Sequence, residues 1–251
     1  MFEYSAPQDL LKDKVILITG AGDGIGKAAA LCFAEHGATI ILSGRTTSKL
    51  EAVYDQIEAV GGAQPAIVPI NFEGAVEKDY DDIASVIEST FGRLDGLLHN
   101  AAQLGSLTPL EQYEVEVWNK LMQVNVNSPF MLTRALIPLL RLSEDASIVF
   151  TSSSVGRKGR AFWGAYAVSK FANEGMMQVL ADELDCTVDD EHQSIRVNSI
   201  NPGATRTNMR ASAYPAENPV HNPLPEEIMP LYLYLMGKDS KGQTGQALNA
   251  Q

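Results

Sequence analysis

Tyr166 and Lys170 stand four residues apart in GAYAVSKF, residues 164–171. On a helix that spacing stacks both side chains on one face, close enough for the charge of one to act on the proton of the other. A free phenol, with a pKa of about 10, is a poor base near neutral pH. An adjacent ammonium favours the phenolate and brings proton exchange with an alcohol or alkoxide within reach. The same spacing is common on solvated helices, so the rest of the chain must say whether this pair is chemistry or surface.

A second cluster lies near the start. Gly20, Gly24 and Gly26 fall in TGAGDGIGKAAALCFAEHGA, between an apolar run and an Ala-rich helical pattern. Glycines at a strand-to-helix turn let the backbone approach a pyrophosphate, whose charge is met by the N–H groups and dipole of the following helix. A tight turn without a ligand is the alternative, but strand before and helix after is the context that a dinucleotide site requires. Cofactor choice is read from IILSGRTTSKL, residues 40–50. Sites that prefer NAD carry an acidic residue at the end of the second strand; here Gly44 stands there and Arg45 follows. A guanidinium can hold a 2′-phosphate with two charge-assisted bonds, and Ser43 and Thr46 add neutral donors. The expected cofactor is NADP, with NADPH preferred over NADH; an ordinary surface arginine is the competing reading.

The elements that must position these residues alternate. Short runs rich in Val and Ile occupy 14–19, 38–43, 66–70, 95–99, 147–151 and 194–200, with a last short one in GQALNA near the C-terminus. Amphipathic helical patterns fall at 24–36, 48–60, 76–91, 113–140, 164–185 and 225–236. This is the pattern of βαβ units, so the expected fold class is α/β, a doubly wound parallel sheet of about seven strands with helices on both faces. At 251 residues and 45% apolar composition, one domain over 1–251 is expected. The Pro- and Asn-rich stretch at 205–225 reads as a mobile lid over a site, with Met209 and Tyr214 as candidate substrate contacts.

Composition excludes other classes. A formal charge of -12 disfavours nucleic acid and anionic membrane as partners, because phosphate would be repelled. Cys32 and Cys186 form no CxxC and read as reduced and structural. His36, His99, His192 and His221 have no paired spacing, so no metal is expected. The acidic start lacks a basic signal-peptide region, and no apolar stretch approaches a membrane span. A cytoplasmic protein acting on a small molecule is expected.

Six motifs in order then carry a resemblance. TGxxxGxG (19–26), HNAA (99–102) after the fourth strand, VNVNS with Asn125, TSSSVG with Ser153, and YAVSK (166–170) followed by NPGATRT (201–207) resemble the short-chain dehydrogenase/reductase family over residues 12–250. VFTSSSVGRKGRAFWGAYAVSKFANEGMMQVLADE and IMPLYLYLMG look in particular like its YciK-like bacterial oxidoreductases. The resemblance implies a Rossmann-like fold and hydride transfer between a nicotinamide cofactor and a carbonyl or secondary alcohol. Tyr166 would be the acid/base. Lys170 would lower its pKa and bind the nicotinamide ribose, and Ser153 would hold the substrate oxygen. Ser152 and Ser154 flank that serine, but Ser153 has Gly156 three positions on, as the family's serine does. Asn125 would place a water that links Lys170 to solvent; helix packing or capping is its other reading. Cofactor contacts would come from Gly20, Asp23, Gly24, Ile25 and Gly26 at the first turn, and from Arg45, Asn71, Phe72 and Asn100. Tyr166, Lys170, Pro202, Gly203 and Thr205 would complete them.

Two residues depart from the family pattern: Ala102 replaces a glycine, and Asn71 stands where many members carry Asp. Near the site, Arg157, Lys158 and Arg160 read as a solvated basic loop ahead of a substrate contact, and Trp163 is placed to stack on a ring. The apolar positions of FMLTRALIPLLRL (130–142) exceed what the sheet needs, and family members pair helices there, so a homo-oligomer, dimer or tetramer, is expected. A non-catalytic nucleotide-binding scaffold or sensor, and an epimerase or enoyl reductase of the same family, are the alternative functions.

Overall fold

The computed structural model describes residues 1–185 and 195–251. Seven strands form one parallel sheet: β1 (Val15–Thr19), β2 (Thr39–Gly44), β3 (Ala66–Pro69), β4 (Gly96–His99), β5 (Ala146–Thr151), β6 (Ile195–Asn201) and β7 (Ala247–Asn249), in the order β3-β2-β1-β4-β5-β6-β7. The helices are α1 (Gly24–Glu35), α2 (Thr47–Ala59), α3 (Glu77–Phe91), α4 (Val115–Met122), α5 (Ser128–Leu140), α6 (Gly164–Glu183), α7 (Asn208–Ala213) and α8 (Met229–Met236). This is the doubly wound arrangement expected, with the order reversing between β1 and β4.

Strand alternation explains the two cores. Ile16 and Ile18 face α1 and α8, packing with Phe33, Leu231 and Tyr232. Leu17 faces the opposite layer with Ile41, Leu97 and Ile148, against Tyr80 of α3, Leu136 of α5 and Met177 of α6. Both sheet faces are therefore covered, which is why these strands read as continuous apolar runs.

The elements differ from expectation in three places. The pattern at 113–140 is not one helix: a π-turn at Gln123–Asn127 separates α4 from α5, and the Gln123 carbonyl accepts from both the N–H and the Oγ of Ser128, the latter at 2.8 Å. The extra residue in that turn brings Asn125 to the inside. The pattern at 225–236 begins as a 3-10 turn (Pro225–Ile228) before α8. The stretch at 205–225 contains α7, capped by Thr207 Oγ1 accepting from Arg210 N at 3.1 Å. Cys186, His192 and the first residue of the expected strand at 194–200, Ser194, lie outside the described residues. No helix among the described residues is long and apolar enough to cross a membrane.

Candidate active site

A cleft of about 480 Å³ opens at the carboxyl edge of the sheet, around the point where the strand order reverses. Loops leaving neighbouring strands in opposite directions leave a crevice there, the usual ligand position in this architecture. Gly20, Asp23, Gly24, Ile25, Arg45, Asn71, Phe72, Asn100, Ser153, Tyr166, Lys170, Pro202, Gly203 and Thr205 line this one cleft. Asn125 and Gly26 do not; both stand behind its wall.

At the reactive end α6 presents Tyr166 and Lys170 from one face, both buried. Lys170 Nζ sits 5.6 Å from the Tyr166 ring centroid and donates to the Thr151 carbonyl at 2.7 Å. Burial pushes the Tyr166 phenol up to about 12, opposed by a hydrogen bond with Ser153. Burial pushes Lys170 down to about 8, opposed by the Glu174 carboxylate. The expected lowering of the phenol by Lys170 is therefore not the dominant influence: desolvation is, and it keeps the proton on the tyrosine. Of the three serines, Ser153 lines the cleft, Ser154 is exposed and Ser152 Oγ is buried without a partner. Gly156 allows this arrangement, because a Cβ there would lie 2.7 Å from Lys170 Cβ and 2.9 Å from its carbonyl carbon.

Asn125 is fully engaged with protein. Its Oδ1 accepts from Gln103 N at 2.8 Å, and its Nδ2 donates to Gln103 O at 2.9 Å and to Ser169 Oγ at 3.1 Å. It pins the loop after β4 to α6, close to the packing role weighed from sequence.

The other end is built for an anion and a nucleoside. Gly20 has φ +68, and a Cβ on Gly26 would stand 2.2 Å from the Gly20 carbonyl oxygen, so no side chain fits between the turn and α1. Thr19 Oγ1 accepts from the N–H groups of Asn100 and Ala101, at 2.9 and 3.0 Å, which locks the loop after β4 onto the end of β1. Asp23 caps α1, accepting from Gly24 N at 2.8 Å, and also takes Lys49 Nζ at 2.6 Å and Asn208 Nδ2 at 3.0 Å. Arg45 is exposed at the rim, with no ion pair or hydrogen bond among the described residues. The glycine cradle at the start of α1 and an uncommitted cation at the rim together fit a phosphorylated dinucleotide. Thr19 heads the TGxxxGxG motif but was given no role from the sequence, and Lys49 was missed; Lys49 left a signal, standing four residues after Arg45 on the first turn of α2.

The basic loop divides. Arg157 faces away from the cleft: it pairs with Glu174 at 3.0 Å and reaches Asn249 Oδ1 at 2.8 Å and Leu248 O at 2.9 Å. It is neither a solvated cation nor placed for substrate. Lys158 is exposed. Arg160 donates to Tyr214 OH at 2.9 Å. Trp163 lines the cleft, 5.7 Å from the Tyr166 ring and 6.0 Å from that of Tyr214. Met209 also lines it, whereas Tyr214 stands behind Trp163 with the Arg210 guanidinium stacked on it at 3.7 Å. His99 is buried, its Nε2 2.7 Å from Thr133 Oγ1, and burial with the Lys170 charge holds it neutral, down to about 3. Cys32 is a mostly buried thiol pushed up to about 12 by desolvation. No group of three or more potential ligand side chains forms a metal cluster among the described residues.

Residues 14–218 match the family model for short chain dehydrogenases. The chain belongs to that family. Among relatives of this dehydrogenase, the oxidoreductase YciK of Escherichia coli (strain K12) is 52% identical over 248 residues, spanning 99% of this chain and 96% of its own. A short chain dehydrogenase structure from Pseudomonas syringae is 62% identical, with TM-score 0.96 and full coverage of both chains. A short chain dehydrogenase from Escherichia coli CFT073, complexed with NADPH, is 52% identical at TM-score 0.94, covering 98% of this chain and 100% of that one. This dehydrogenase is thus an oxidoreductase of the short-chain dehydrogenase/reductase type.

Proposed function

We propose that this dehydrogenase is an NADP-dependent carbonyl reductase or alcohol dehydrogenase working through Tyr166, Lys170, Ser153 and Asn125. The observation that carries the reading is the burial of Tyr166 and Lys170 on one face of α6, in a single cleft with Ser153 and the glycine turn. When bound, NADPH supplies a hydride. Tyr166, with its proton held by burial, gives that proton to the substrate oxygen as negative charge develops there. Ser153 donates a hydrogen bond to the same oxygen. Lys170 supplies positive charge beside the phenol and an ammonium for ribose hydroxyls. Asn125 holds the loop after β4 against α6 and so positions that wall of the cleft. The NADPH complex of the Escherichia coli CFT073 relative supports the cofactor choice. Arg45 is assigned to the 2′-phosphate, Asn71 and Phe72 to the adenine, and Pro202, Gly203 and Thr205 to the nicotinamide end.

The substrate is a small carbonyl compound that is uncharged near the reacting carbon. Trp163, Leu104 and Met209 form that wall, and the nearby Arg210 is neutralised by Glu217 through bonds of 2.7 and 2.6 Å. In this reading the chain is one domain, Thr205–Pro225 is its lid, the protein is cytoplasmic, and exposed Phe130 on α5 and Phe171 on α6 mark a homo-oligomer interface. Screening aldehydes, ketones and 3-oxoacyl thioesters by loss of NADPH absorbance, with Tyr166→Phe as control, tests the function. Oxidation equal in wild type and Tyr166→Phe refutes it.

A further inference from the structure

Burying a lysine that must stay charged requires compensation nearby, because desolvation favours its neutral form. Lys170 is 2% exposed, and its ammonium meets a carbonyl oxygen, that of Thr151. The groups around it come from four elements. Tyr166 shares its face of α6. His99, at the end of β4, is neutral. On the sheet side, Thr151 of β5 is followed by Tyr232 of α8, whose hydroxyl lies 3.4 Å from Thr151 Oγ1. The carboxylate in this set is Glu174, one helical turn beyond Lys170 and 6% exposed.

Glu174 is itself held from behind. Its Oε1 accepts from Arg157 Nε at 3.0 Å and its Oε2 from Ser199 Oγ at 2.7 Å. Arg157, on the turn after β5, uses its remaining nitrogens on Asn249 and Leu248 of β7, with Nη2 also 3.4 Å from Ser199 Oγ. Arg157 and Glu174 form an ion pair, and Lys170 stands one helical turn from that carboxylate with its ammonium on the Thr151 carbonyl, so Glu174 acts on it at a distance and not by contact. Arginine does not give up its proton, so of the two cations only the lysine can be driven to its neutral form by burial.

We propose that Glu174 is a positioning residue that keeps Lys170 in its charged form, and that Arg157, anchored to β7, limits this effect by pairing with the same carboxylate. This rests on the Tyr–Lys reading above for its meaning in turnover, but the charge coupling is a property of the ligand-free chain. It is therefore tested there. Protein labelled with 13C at lysine Cε is titrated by NMR without cofactor or substrate, the Lys170 signal being assigned by its loss in Lys170→Arg. Replacing Glu174 by Gln keeps the shape and removes the charge. Replacing Ser199 by Ala removes one hydrogen bond to the same carboxylate and keeps its charge.

The expected wild-type midpoint is about 8. It falls by about one unit in Glu174→Gln and stays within about 0.3 in Ser199→Ala. The alkaline limb of NADPH-dependent turnover moves down with it in Glu174→Gln. Equal midpoints in wild type and Glu174→Gln overturn the proposal; so does an equal fall in Ser199→Ala, which would assign the effect to loosened packing. If Glu174→Gln does not fold, Arg157→Met carries the test: freed of its arginine, the carboxylate acts on Lys170 alone and the midpoint rises. An unchanged or lower midpoint in that variant overturns the idea. A chain without turnover but with the predicted midpoints would reject the catalytic reading and keep the coupling.

Discussion

At the amino edge of the sheet, buried charges pair with one another across strands; at the carboxyl edge, a buried charge lines the cleft. Below the strands, Asp145 joins Lys14 at 2.5 Å and also pairs with Arg196, while Asp95 takes Val15 N at 2.8 Å, Arg93 Nε at 3.0 Å and Ser143 Oγ at 2.6 Å. Burial works against the Asp145 carboxylate, yet the bonds from Arg196 and Lys14 outweigh it and hold its pKa below the ordinary carboxylate value. Above the strands, Lys170 lines the cleft with its ammonium on the Thr151 carbonyl and no ion pair among the described residues, and burial drives it towards its neutral form. A group whose bonds are all made within the protein stabilises the fold but has nothing left for a ligand. A group kept short of partners costs stability and is ready to bind.

The strongest way to break this contrast is to exchange its consequences. Tyr166→Phe is expected to lower turnover by about 10²–10⁴-fold while leaving the melting temperature and NADPH affinity close to wild type. Steady-state rates alongside thermal melts would show it, and a matching loss of stability would mean that Tyr166 is a packing residue.

Asp145→Asn should do the reverse. It leaves Lys14 and Arg196 facing one another without their carboxylate, at a cost of about 2–4 kcal/mol, the lower end reflecting partial exposure. Turnover at 25 °C should be retained. Because its folded pKa is lowered, Asp145 contributes stability above the unfolded carboxylate pKa and loses it as pH falls through the folded value. Denaturant unfolding of wild type and variant at several pH values should therefore converge in acid.

Arg45→Ala sharpens the comparison at the rim, where the cation has no protein partner. NADPH affinity should fall about ten- to a hundred-fold, NADH affinity far less, and stability not at all. Fluorescence titration of both cofactors measures it, with equal losses counting against the 2′-phosphate assignment.

The smallest effect has the most telling sign. Lys170 has a folded pKa below its unfolded one, so its burial penalty is full below about 8 and is relieved as pH rises from there towards 10.5. Lys170→Met should abolish turnover yet melt a few degrees higher at neutral pH, the gain fading in alkali. A lower melting temperature at neutral pH would put Lys170 with the amino-edge charges.

Residues that act through a short stretch of chain were readable in the sequence. The four-residue step from Tyr166 to Lys170 needs only a helix, the glycine turn needs only a strand and a helix beside it, and Gly44 with Arg45 needs only a strand end. Alternating apolar runs likewise announce a buried parallel sheet, since both faces of such a sheet exclude water. What the sequence did not show depends on contacts between distant residues. Arg157 looked like part of a basic loop until β7, 91 positions later, supplied the Leu248 carbonyl it binds. Asn125 needed a π-turn to be drawn inward, and Lys49 needed Asp23 at the start of another helix. The charge state at the centre of the site is the clearest case. Spacing alone placed an ammonium beside a phenol, but only the packing around α6 decided how dry both are, and desolvation outweighs their mutual attraction in setting where each proton resides.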